Sequence, residues 1–572
     1  MPIDAPLDGS TTPVGPPPYL SVRSLAGGME VPAVGWRVAL LVAVLASLAA
    51  VVAVARPAGR WGTAARRRLL AGLPWGTLLV AGGITTFYLV VQRGLAHPYD
   101  PLVIPFRAWG YRYPTGMVTA PFAHSGLGHL VGNVVGTLVF GSIAEYGWSH
   151  FPRERGSAAF GSLRTNPFAR VLAFAAAVAA VGVLTGLFAL GPVVGFSGVV
   201  FALIGFAVVR YPLAAVGALV GSGVVRLLYR AVRRPEVART AGESFSTPWW
   251  ADVAIQGHAL GLLIGVVAAL ALLYRRGIRP NPARVWLAAL FVAVDRGLWA
   301  VYTIEGSDRY RLFRALGTAA VFLVAAVIAV GAAASDRDLI ATIGLTRREA
   351  AVGLLLSVLF AVALVAVPFN LLVIDGPAAG TDPAETVEVR DYTVRYAEDV
   401  DNRYVPAVPI PGRNGSTDGV PASGVVVVSE ERNVWWEEVS TGRLAARGNV
   451  TVRLGGVTWS EHVRASRRGW QLAGAPAVYH VRLARAGSAG TVAYRSDNAT
   501  VGPRVDGRNV TIDPAGKRFA AVVTRDNETL GRTALPAAGN RTSAGGLTFH
   551  RDGRDLYVER DGTRVRIAAR AG

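Results

Sequence analysis

The sequence predicts an α-helical polytopic membrane protein that carries a C-terminal all-β extramembrane domain. Three observations lead to this fold class. The 572-residue chain is 52% hydrophobic and only 17% charged, whereas a soluble chain carries about 25% charged residues. The apolar surplus is confined to residues 36–372, in segments of roughly the length that a bilayer-spanning helix needs, about 20 residues. After residue 373 these segments stop, and short β-like runs separated by turn residues begin.

Ten apolar segments are candidates for membrane-spanning helices. They lie near residues 36–55, 75–92, 129–147, 170–190, 198–211, 213–229, 253–274, 284–303, 312–334 and 350–372. The two segments between 198 and 229 could instead form one long hairpin broken at Tyr211-Pro212, because proline disfavours helix in the residue before it.

Five regions follow from these segments. They are a disordered N-terminal tail (1–35), an extra transmembrane helix with a basic loop (36–74), a helical core (75–276), additional transmembrane helices (277–372) and an extracytoplasmic β-rich domain (373–572). The tail is rich in proline and glycine and lacks the basic start of a signal peptide, so we expect the first apolar segment to direct insertion itself. A proline- and glycine-containing linker near 376–384 precedes β-like runs such as 424–428, 450–454 and 478–483.

Arginine-rich loops predict the membrane topology. Residues 56–68 hold five arginines, which places them in the cytoplasm by the positive-inside rule. Alternation then puts the N-terminus, the loop 93–128 and the β-rich domain outside. The β-rich domain also holds all six Asn-x-Ser/Thr sequons, at Asn414, Asn449, Asn498, Asn509, Asn527 and Asn540, which agrees with an external position. The loop 226–240 disobeys, because it carries five arginines where alternation places it outside. Either one crossing is miscounted or this loop tolerates charge.

The composition narrows the possible partners. A net charge of +20 could indicate nucleic-acid binding, but the arginines flank apolar runs and no nucleic-acid motif accompanies them. We therefore expect a multi-pass protein of the cell membrane, surrounded by lipid bilayer, with no nucleic-acid partner. The chain has no cysteine, which excludes disulfides, thiol catalysis and cysteine-based metal sites. We expect neither a metal ion nor a cofactor.

Polar residues inside apolar helices are costly and mark candidate functional sites. Ser197 begins an apolar helix and is flanked by glycines. Gly195 allows a tight backbone approach, and Gly198 allows another helix to pack closely. Taken alone, this serine could equally serve helix packing.

A histidine lies in a second apolar segment. His258 is followed by Gly261 and Gly265, which form a small-xxx-small face that permits close packing against a neighbouring helix. Because His258 and Gly261 are three residues apart, they share that face, and the histidine is directed at the partner helix. A bond from the ring to a backbone carbonyl is the structural alternative.

A third cluster comprises His124, His129, Asn133 and Glu145. His129 and Asn133 are four residues apart on one helical face, and both side chains can donate hydrogen bonds to an oxyanion. Polar contacts between helices are the alternative. We expect Glu145, near the cytoplasmic end, to be structural. The predicted topology puts Ser197, His258, His129 and Asn133 at similar depth in the outer half of the membrane.

These motifs, in this order, resemble the rhomboid family of intramembrane serine proteases over about residues 75–275. The family's His-x-x-x-Asn is found at residues 129–133, its Gly-x-Ser-Gly helix at 195–205 and its His-x-x-Gly-x-x-x-Gly at 258–265. The resemblance implies a rhomboid-like six-helix core plus extra transmembrane helices.

The resemblance also implies roles for the site residues. Ser197 would be the nucleophile and His258 the general base. The Ser197 backbone N–H would hold the oxyanion together with His129 and Asn133, and Phe201 would stack on the histidine. Supporting residues would be Phe201, Gly195, Gly198, Gly261, Gly265, His124 and Glu145.

The implied reaction is cleavage of membrane proteins that contain a transmembrane helix, near the outer face. The oligomeric state is left open. The loop 230–252, with Trp249 and Trp250, is a candidate mobile lid. The family's Trp-Arg pair has no counterpart at its expected place in the first outer loop; only Phe106-Arg107, Trp109 and Tyr111-Arg112 lie nearby.

Two other functions compete with proteolysis. A catalytically silent rhomboid-like scaffold would bind membrane proteins through the same fold, but it would need neither Ser197 nor His258. A transporter would need charged residues at mid-membrane. Asp295 and Arg296 are the only candidates there, and a local ion pair explains them more simply.

Overall fold

The structure is a computed structural model, which describes residues 33–55, 60–152, 157–235, 248, 250, 253–304, 310–374, 385–406, 422–514 and 518–571. Most of the predicted tail 1–35, the predicted linker near 376–384, Asn414 and Trp249 lie outside the described residues. The chain forms two compact units. The first comprises residues 1–60 and 220–244, and the second comprises 61–219 and 245–572.

The α-helices are α1 (Ala33–Ala55), α2 (Arg60–Arg68), α3 (Trp75–Thr86), α4 (Pro114–Thr119), α5 (Leu127–Gly136), α6 (Ser142–Trp148), α7 (Pro167–Phe188), α8 (Ser197–Arg210), α9 (Pro212–Arg233), α10 (Ile255–Arg276), α11 (Pro282–Asp295), α12 (Arg314–Ala333), α13 (Arg347–Leu364), α14 (Ala366–Asn370) and α15 (Thr441–Arg447). Helix α3 continues into a π-helical turn at Phe87–Val91, and α5 continues through Thr137–Gly141 into α6. In the first unit, Arg37 Nε donates to the carbonyl of Val232 at 2.9 Å and joins α1 to the end of α9.

Each of the ten predicted segments contains an apolar helix, which confirms a polytopic helical protein. Among the described residues, seven segments are long and apolar enough to cross a membrane: Val34–Val54, Leu127–Trp148, Pro167–Phe188, Pro212–Arg233, Ile255–Arg276, Arg314–Ala333 and Arg347–Asn370. Two apolar helices are shorter, Trp75–Val91 and Ser197–Arg210. The chain does break at Tyr211, where α8 ends and the proline that follows opens α9.

The predicted segment 284–303 is too long. Helix α11 ends at Asp295, and a β-hairpin begins at Tyr302. Gly297 ends the helix with a φ of 69°, while the Leu298 N–H donates to the Ala293 carbonyl at 2.9 Å, an arrangement typical of a helix C-terminus.

Side-chain caps fix where several helices begin. The side chain of Asn166 accepts from two N–H groups at the start of α7, and Asn281 accepts from the Arg284 N–H at the start of α11. In both helices proline occupies the first turn, where its missing N–H costs nothing. Helix α13 begins with a capping box between Thr346 and Glu349.

Helices α8 and α10 pack with their backbones in contact. A Cβ atom placed on Gly265 would lie 1.8 Å from the Ala202 carbonyl oxygen, and one on Gly261 would lie 2.0 Å from the Gly198 carbonyl oxygen. From the other side, a Cβ on Gly205 would lie 2.2 Å from the Leu262 oxygen. Only glycine fits at these three positions.

The strands are β1 (Tyr302–Ile304), β2 (Tyr310–Leu312), β3 (Asp338–Ile340), β4 (Leu345–Thr346), β5 (Leu372–Ile374), β6 (Thr386–Val389), β7 (Tyr392–Val400), β8 (Tyr404–Pro406), β9 (Ala422–Ser429), β10 (Val434–Ser440), β11 (Asn449–Gly455), β12 (Ser460–Leu472), β13 (Val478–Arg485), β14 (Thr491–Arg495), β15 (Ala499–Thr500), β16 (Asn509–Asp513), β17 (Ala520–Arg525), β18 (Glu528–Ala534), β19 (Arg541–Ala544), β20 (Leu547–Asp552), β21 (Asp555–Arg560) and β22 (Thr563–Ala571). The predicted runs 424–428, 450–454 and 478–483 fall within β9, β11 and β13. This confirms a β-rich C-terminal region, which also contains the short helix α15.

The described strands of this region form antiparallel sheets around two large cores and a smaller buried cluster on β9 and β10. One sheet has the order β10-β9-β7-β6, another β14-β13-β12-β22-β21-β20-β19 with β11 also on β12, and a third β15-β16-β17-β18. The long strand β12 joins the cores, because Val463 and Ala465 pack into the first and Trp470 and Leu472 into the second.

We predict that the contact between α8 and α10 tolerates no side chain. Replacing Gly265 by valine forces the helices apart, so unfolding should become easier by at least about 1–3 kcal/mol, the usual cost of overpacking. Thermal unfolding of the purified protein in detergent measures this. Gly353→Ala in α13 is the control, because a Cβ there meets no atom within 4 Å. Equal midpoints for the two variants would contradict the prediction.

Candidate functional site

Ser197 and His258 are brought together by the close packing of α8 and α10. Ser197 is the first residue of α8, and His258 lies in the first turn of α10. Ser197 Oγ lies 2.8 Å from His258 Nε2, within hydrogen-bond distance. Both side chains are half-buried. This is the arrangement of a hydroxyl nucleophile with a general base.

An aromatic ring holds His258 in place. Phe201, one helical turn after Ser197, stacks on the imidazole with ring centroids 4.3 Å apart and an angle of 8° between the planes. Within the described part of the chain, Nδ1 of His258 has no hydrogen-bond partner. Packing, and not a hydrogen-bonded carboxylate as in a Ser-His-Asp triad, therefore orients this histidine.

Of the two side chains predicted as oxyanion donors, His129 lies beside the segment that precedes α8. The ring of His129 packs against Gly195, where a Cβ atom would lie 2.6 Å from Nε2. His129 Nδ1 is 3.0 Å from Ser125 Oγ, which leaves Nε2 as the nitrogen beside the segment that leads into Ser197. The side-chain nitrogen of Asn133 is buried and has no hydrogen-bond partner among the described residues. A free buried donor is what a developing oxyanion requires.

Gly195 is held in a conformation that favours glycine. Its φ is +126°, a value that residues with a side chain rarely adopt. A small cavity of about 40 Å³ adjoins this glycine and is lined by Gly195, Ser197, Gly198, Gly257 and His258 among others. This volume accommodates only a small number of water molecules.

Gln256 is a site residue that the sequence analysis missed. Its side-chain oxygen accepts from the Leu190 N–H at 2.8 Å, and its nitrogen donates to the Phe188 carbonyl at 2.9 Å and the Val362 carbonyl at 2.7 Å. Gln256 thus ties the loop before the serine to the helix that carries His258. The sequence does contain a signal for this role, because Gln256 is a polar amide two residues before His258 at the start of an apolar helix.

Asn370 holds the same loop from another direction. Its side-chain nitrogen donates to the Leu187 and Ala189 carbonyls, each at 3.1 Å, and its own carbonyl accepts from the Tyr111 N–H at 2.8 Å. This asparagine, which ends α14, was also not singled out from the sequence.

His124 lies behind His129 and is fully buried. The two rings meet edge to face with centroids 5.2 Å apart. The backbone around His124 is held by Gln92, whose side chain accepts from the His124 N–H at 2.7 Å and donates to the carbonyls of His124 and Leu102, each at 2.9 Å. His124 therefore contacts His129, one of the predicted oxyanion donors.

Glu145 lies away from this cluster, at the other end of the helices. Its carboxylate accepts from the N–H groups of Gly76 and Thr77 and from the Thr77 hydroxyl, each at 2.7 Å. His150 Nε2 is 2.6 Å away, and His150 Nδ1 accepts from the Leu70 N–H at 2.9 Å. The sequence analysis missed His150. This buried network joins α6 to the start of α3.

The other residues that the sequence singled out lie outside the site. Asp295 and Arg296 pair with each other at 3.1 Å. In the loop 230–252, Trp250 packs on the hairpin of β1 and β2, with its ring centroid 5.0 Å from that of Tyr302. Among the described residues, no group of three or more histidine and acidic side chains is arranged to hold a metal ion.

Comparison with known proteins finds one family model that matches part of the chain. The family model described as Rhomboid domain matches residues 111–275. No curated protein and no solved structure matches the chain. The matched range includes Ser197, His258, His129 and Asn133, and it leaves the residues before 111 and the β-rich region unmatched.

We predict that Glu145 stabilises the fold without contributing to chemistry. Glu145→Ala removes the acceptor of three hydrogen bonds and leaves buried donors unpaired, at about 1–3 kcal/mol for each buried group. The thermal midpoint should fall clearly, while the rate at which a serine-reactive fluorophosphonate labels Ser197 in the folded fraction stays within about twofold, because Glu145 lies away from the serine.

The control for this experiment is Glu349→Ala, which removes the exposed partner of Thr346 in the capping box of α13 and should lower the thermal midpoint much less than Glu145→Ala. Loss of labelling in folded Glu145→Ala protein would contradict a purely structural role.

Proposed function

We propose that this rhomboid-family protein is an intramembrane serine endopeptidase that cleaves the transmembrane segments of other membrane proteins near the outer face of the membrane. The observation that carries the proposal is the 2.8 Å approach of Ser197 Oγ to His258 Nε2 inside the range that matches the Rhomboid domain. A scaffold that only binds membrane proteins would need no such pair.

The reaction would proceed by acyl transfer. His258 Nε2 accepts the Ser197 hydroxyl proton as Oγ attacks the substrate carbonyl carbon, giving a tetrahedral intermediate. When the C–N bond breaks, His258 returns the proton to the leaving amine. A water molecule, deprotonated by His258, then attacks the acyl-enzyme ester, and the proton is returned to Ser197 Oγ. The products are a carboxylate and an amine, as hydrolysis requires.

The negative oxygen of the intermediate would be held by three donors. They are the Ser197 N–H, the side-chain nitrogen of Asn133 and Nε2 of His129. The unpaired, buried nitrogen of Asn133 supports this role, because preorganised donors act most strongly where charge develops away from water.

The distribution of charge along α10 supports an outward-facing site. His258 lies at one end of this helix, and Arg275 and Arg276 form its last turn. By the positive-inside rule the arginine end is cytoplasmic, which puts the histidine end and the loop before Ser197 outside. The β-rich region contacts Trp109 in the loop 93–128, and Tyr111 of that loop donates to the Leu187 carbonyl near the loop before Ser197, so the β-rich region would be extracytoplasmic.

The direct test is cleavage of a model single-pass substrate by the detergent-solubilised protein. We expect Ser197→Ala and His258→Ala to lower cleavage at least about 10³-fold, as loss of a nucleophile or its base does in serine hydrolases. Both variants should retain the wild-type thermal midpoint. Unchanged cleavage by Ser197→Ala would sink the proposal, and an inert wild type that still binds the substrate would favour the scaffold.

A second prediction concerns the oxyanion. Asn133→Ala should lower kcat by about 10²–10³-fold with little change in KM, because an oxyanion donor acts mainly in the transition state. Val131→Ala, in the same helix but half-exposed at 50%, is the matched control and should leave kcat unchanged. A raised KM with normal kcat in Asn133→Ala would assign this residue to substrate binding instead.

A further inference from the structure

The β-rich region is built onto the first outer loop, defined here as residues 93–113. Ile104 and Trp109 of this loop belong to the same buried core as residues of β7, β9 and β10. Trp109 is only 6% exposed, and its ring meets the ring of Trp436 edge to face with centroids 5.6 Å apart. The loop therefore supplies part of the domain's own core.

Hydrogen bonds reinforce this apolar contact. Asn433 donates from its side-chain nitrogen to the Trp109 carbonyl at 3.4 Å. Arg432 donates to the hydroxyl of Tyr113 at 3.0 Å. At the start of the loop, Arg453 donates to the carboxylate of Asp100 at 2.9 Å. These bonds tie both ends of the first outer loop to the β-rich region.

The first outer loop in turn holds the segment that leads to the nucleophile, defined here as the nucleophile loop, residues 187–195. The Ala108 N–H donates to the Val193 carbonyl at 3.0 Å. The Tyr111 hydroxyl donates to the Leu187 carbonyl at 2.9 Å. These bonds fix carbonyls near both ends of the nucleophile loop.

Arg107 contacts both the β-rich region and the nucleophile loop. Its guanidinium lies 4.9 Å from the ring centroid of Trp436 and 5.6 Å from that of Trp109, within the range of cation–π attraction. The same group donates to the Pro192 carbonyl at 3.3 Å. Burial lowers the pKa of Arg107, and the negative charge of Glu438 on β10 opposes that shift. The β-rich region thus supplies both the ring and the charge that favour this half-buried cation.

We propose that Arg107 and Trp436 are positioning residues, through which the β-rich region holds the nucleophile loop in its catalytic conformation. This inference rests on the proposed function. Gly195 must keep its φ of +126° with His129 packed against it for Ser197 and the oxyanion donors to share one geometry. A displacement of about 1 Å in such a site can cost about 10²-fold in rate. The β-rich region would therefore complete the active site, beyond any part it plays in recruiting substrates.

Full-length Arg107→Gln and Trp436→Ala proteins test this inference. We expect the second-order rate of Ser197 labelling by a small fluorophosphonate, and kcat on the model substrate, to fall about 10–100-fold, with KM changed less than about threefold. Arg107→Lys keeps the cation and should recover much of the lost rate, which loss of packing alone would not explain. Hydrogen exchange at residues 187–195 should be faster in Trp436→Ala than in the wild type.

The matched control is Arg390→Gln. Arg390 lies 4.4 Å from the ring of Trp459 in the same region, and no bond of Arg390 to the nucleophile loop is present among the described residues. It should behave as the wild type in every assay.

Three outcomes separate the possibilities. Normal labelling with a raised KM in Arg107→Gln and Trp436→Ala would overturn the inference and assign the region to substrate capture. Normal labelling, kinetics and exchange would overturn it altogether. If the wild type neither labels nor cleaves, the proposed function fails, and the exchange measurement alone then decides whether Trp436 holds the nucleophile loop.

Discussion

Backbone contact between α8 and α10 is the constraint on which the site depends. Where Gly261 and Gly265 meet the carbonyls of Gly198 and Ala202, side chains are excluded and the two helices cannot slide or rotate independently. The 2.8 Å distance between the serine hydroxyl and the imidazole follows from that contact. A pair without an orienting carboxylate needs such rigidity, because packing alone sets the angle of the histidine ring.

The two ends of the helical core are held by different chemistry. At the arginine-rich end, Arg276 donates to the Gly147 and Trp148 carbonyls, each at 2.8 Å, and Arg170 donates to the Trp148 carbonyl at 3.0 Å. Together with the Glu145 network, these bonds satisfy helix ends that would otherwise be left unpaired. At the other end, neutral amides of Gln256 and Asn370 hold the nucleophile loop by its backbone. The Arg107 guanidinium, which donates to the Pro192 carbonyl, is the charged group that joins these amides in holding the loop.

The sequence predicted what local spacing encodes. Each of three features depends on residues that are close together in the sequence, so each could be predicted without a structure. They are the helical segments, the glycine pattern around Ser197 and His258, and the change to β-like runs. Contacts between residues far apart in the sequence could not be predicted in this way. Asn433 and Trp109 are 324 positions apart, and nothing in the sequence links the two residues. The end of α11 was missed for a related reason, since an apolar stretch continues past the glycine that stops the helix.

The length of α8 has a consequence for the surrounding lipid. Its 14 residues rise about 21 Å at about 1.5 Å per residue, whereas the hydrocarbon layer of a bilayer is about 30 Å thick. The helix that begins with Ser197 is thus too short to reach both surfaces. Because most residues of α8 are buried against other helices, a mismatch with the bilayer reaches it through those neighbours, and water can fill the remaining depth above the serine. Membrane thickness thereby becomes a variable of the proposed reaction, and hydration of the serine should change with acyl-chain length.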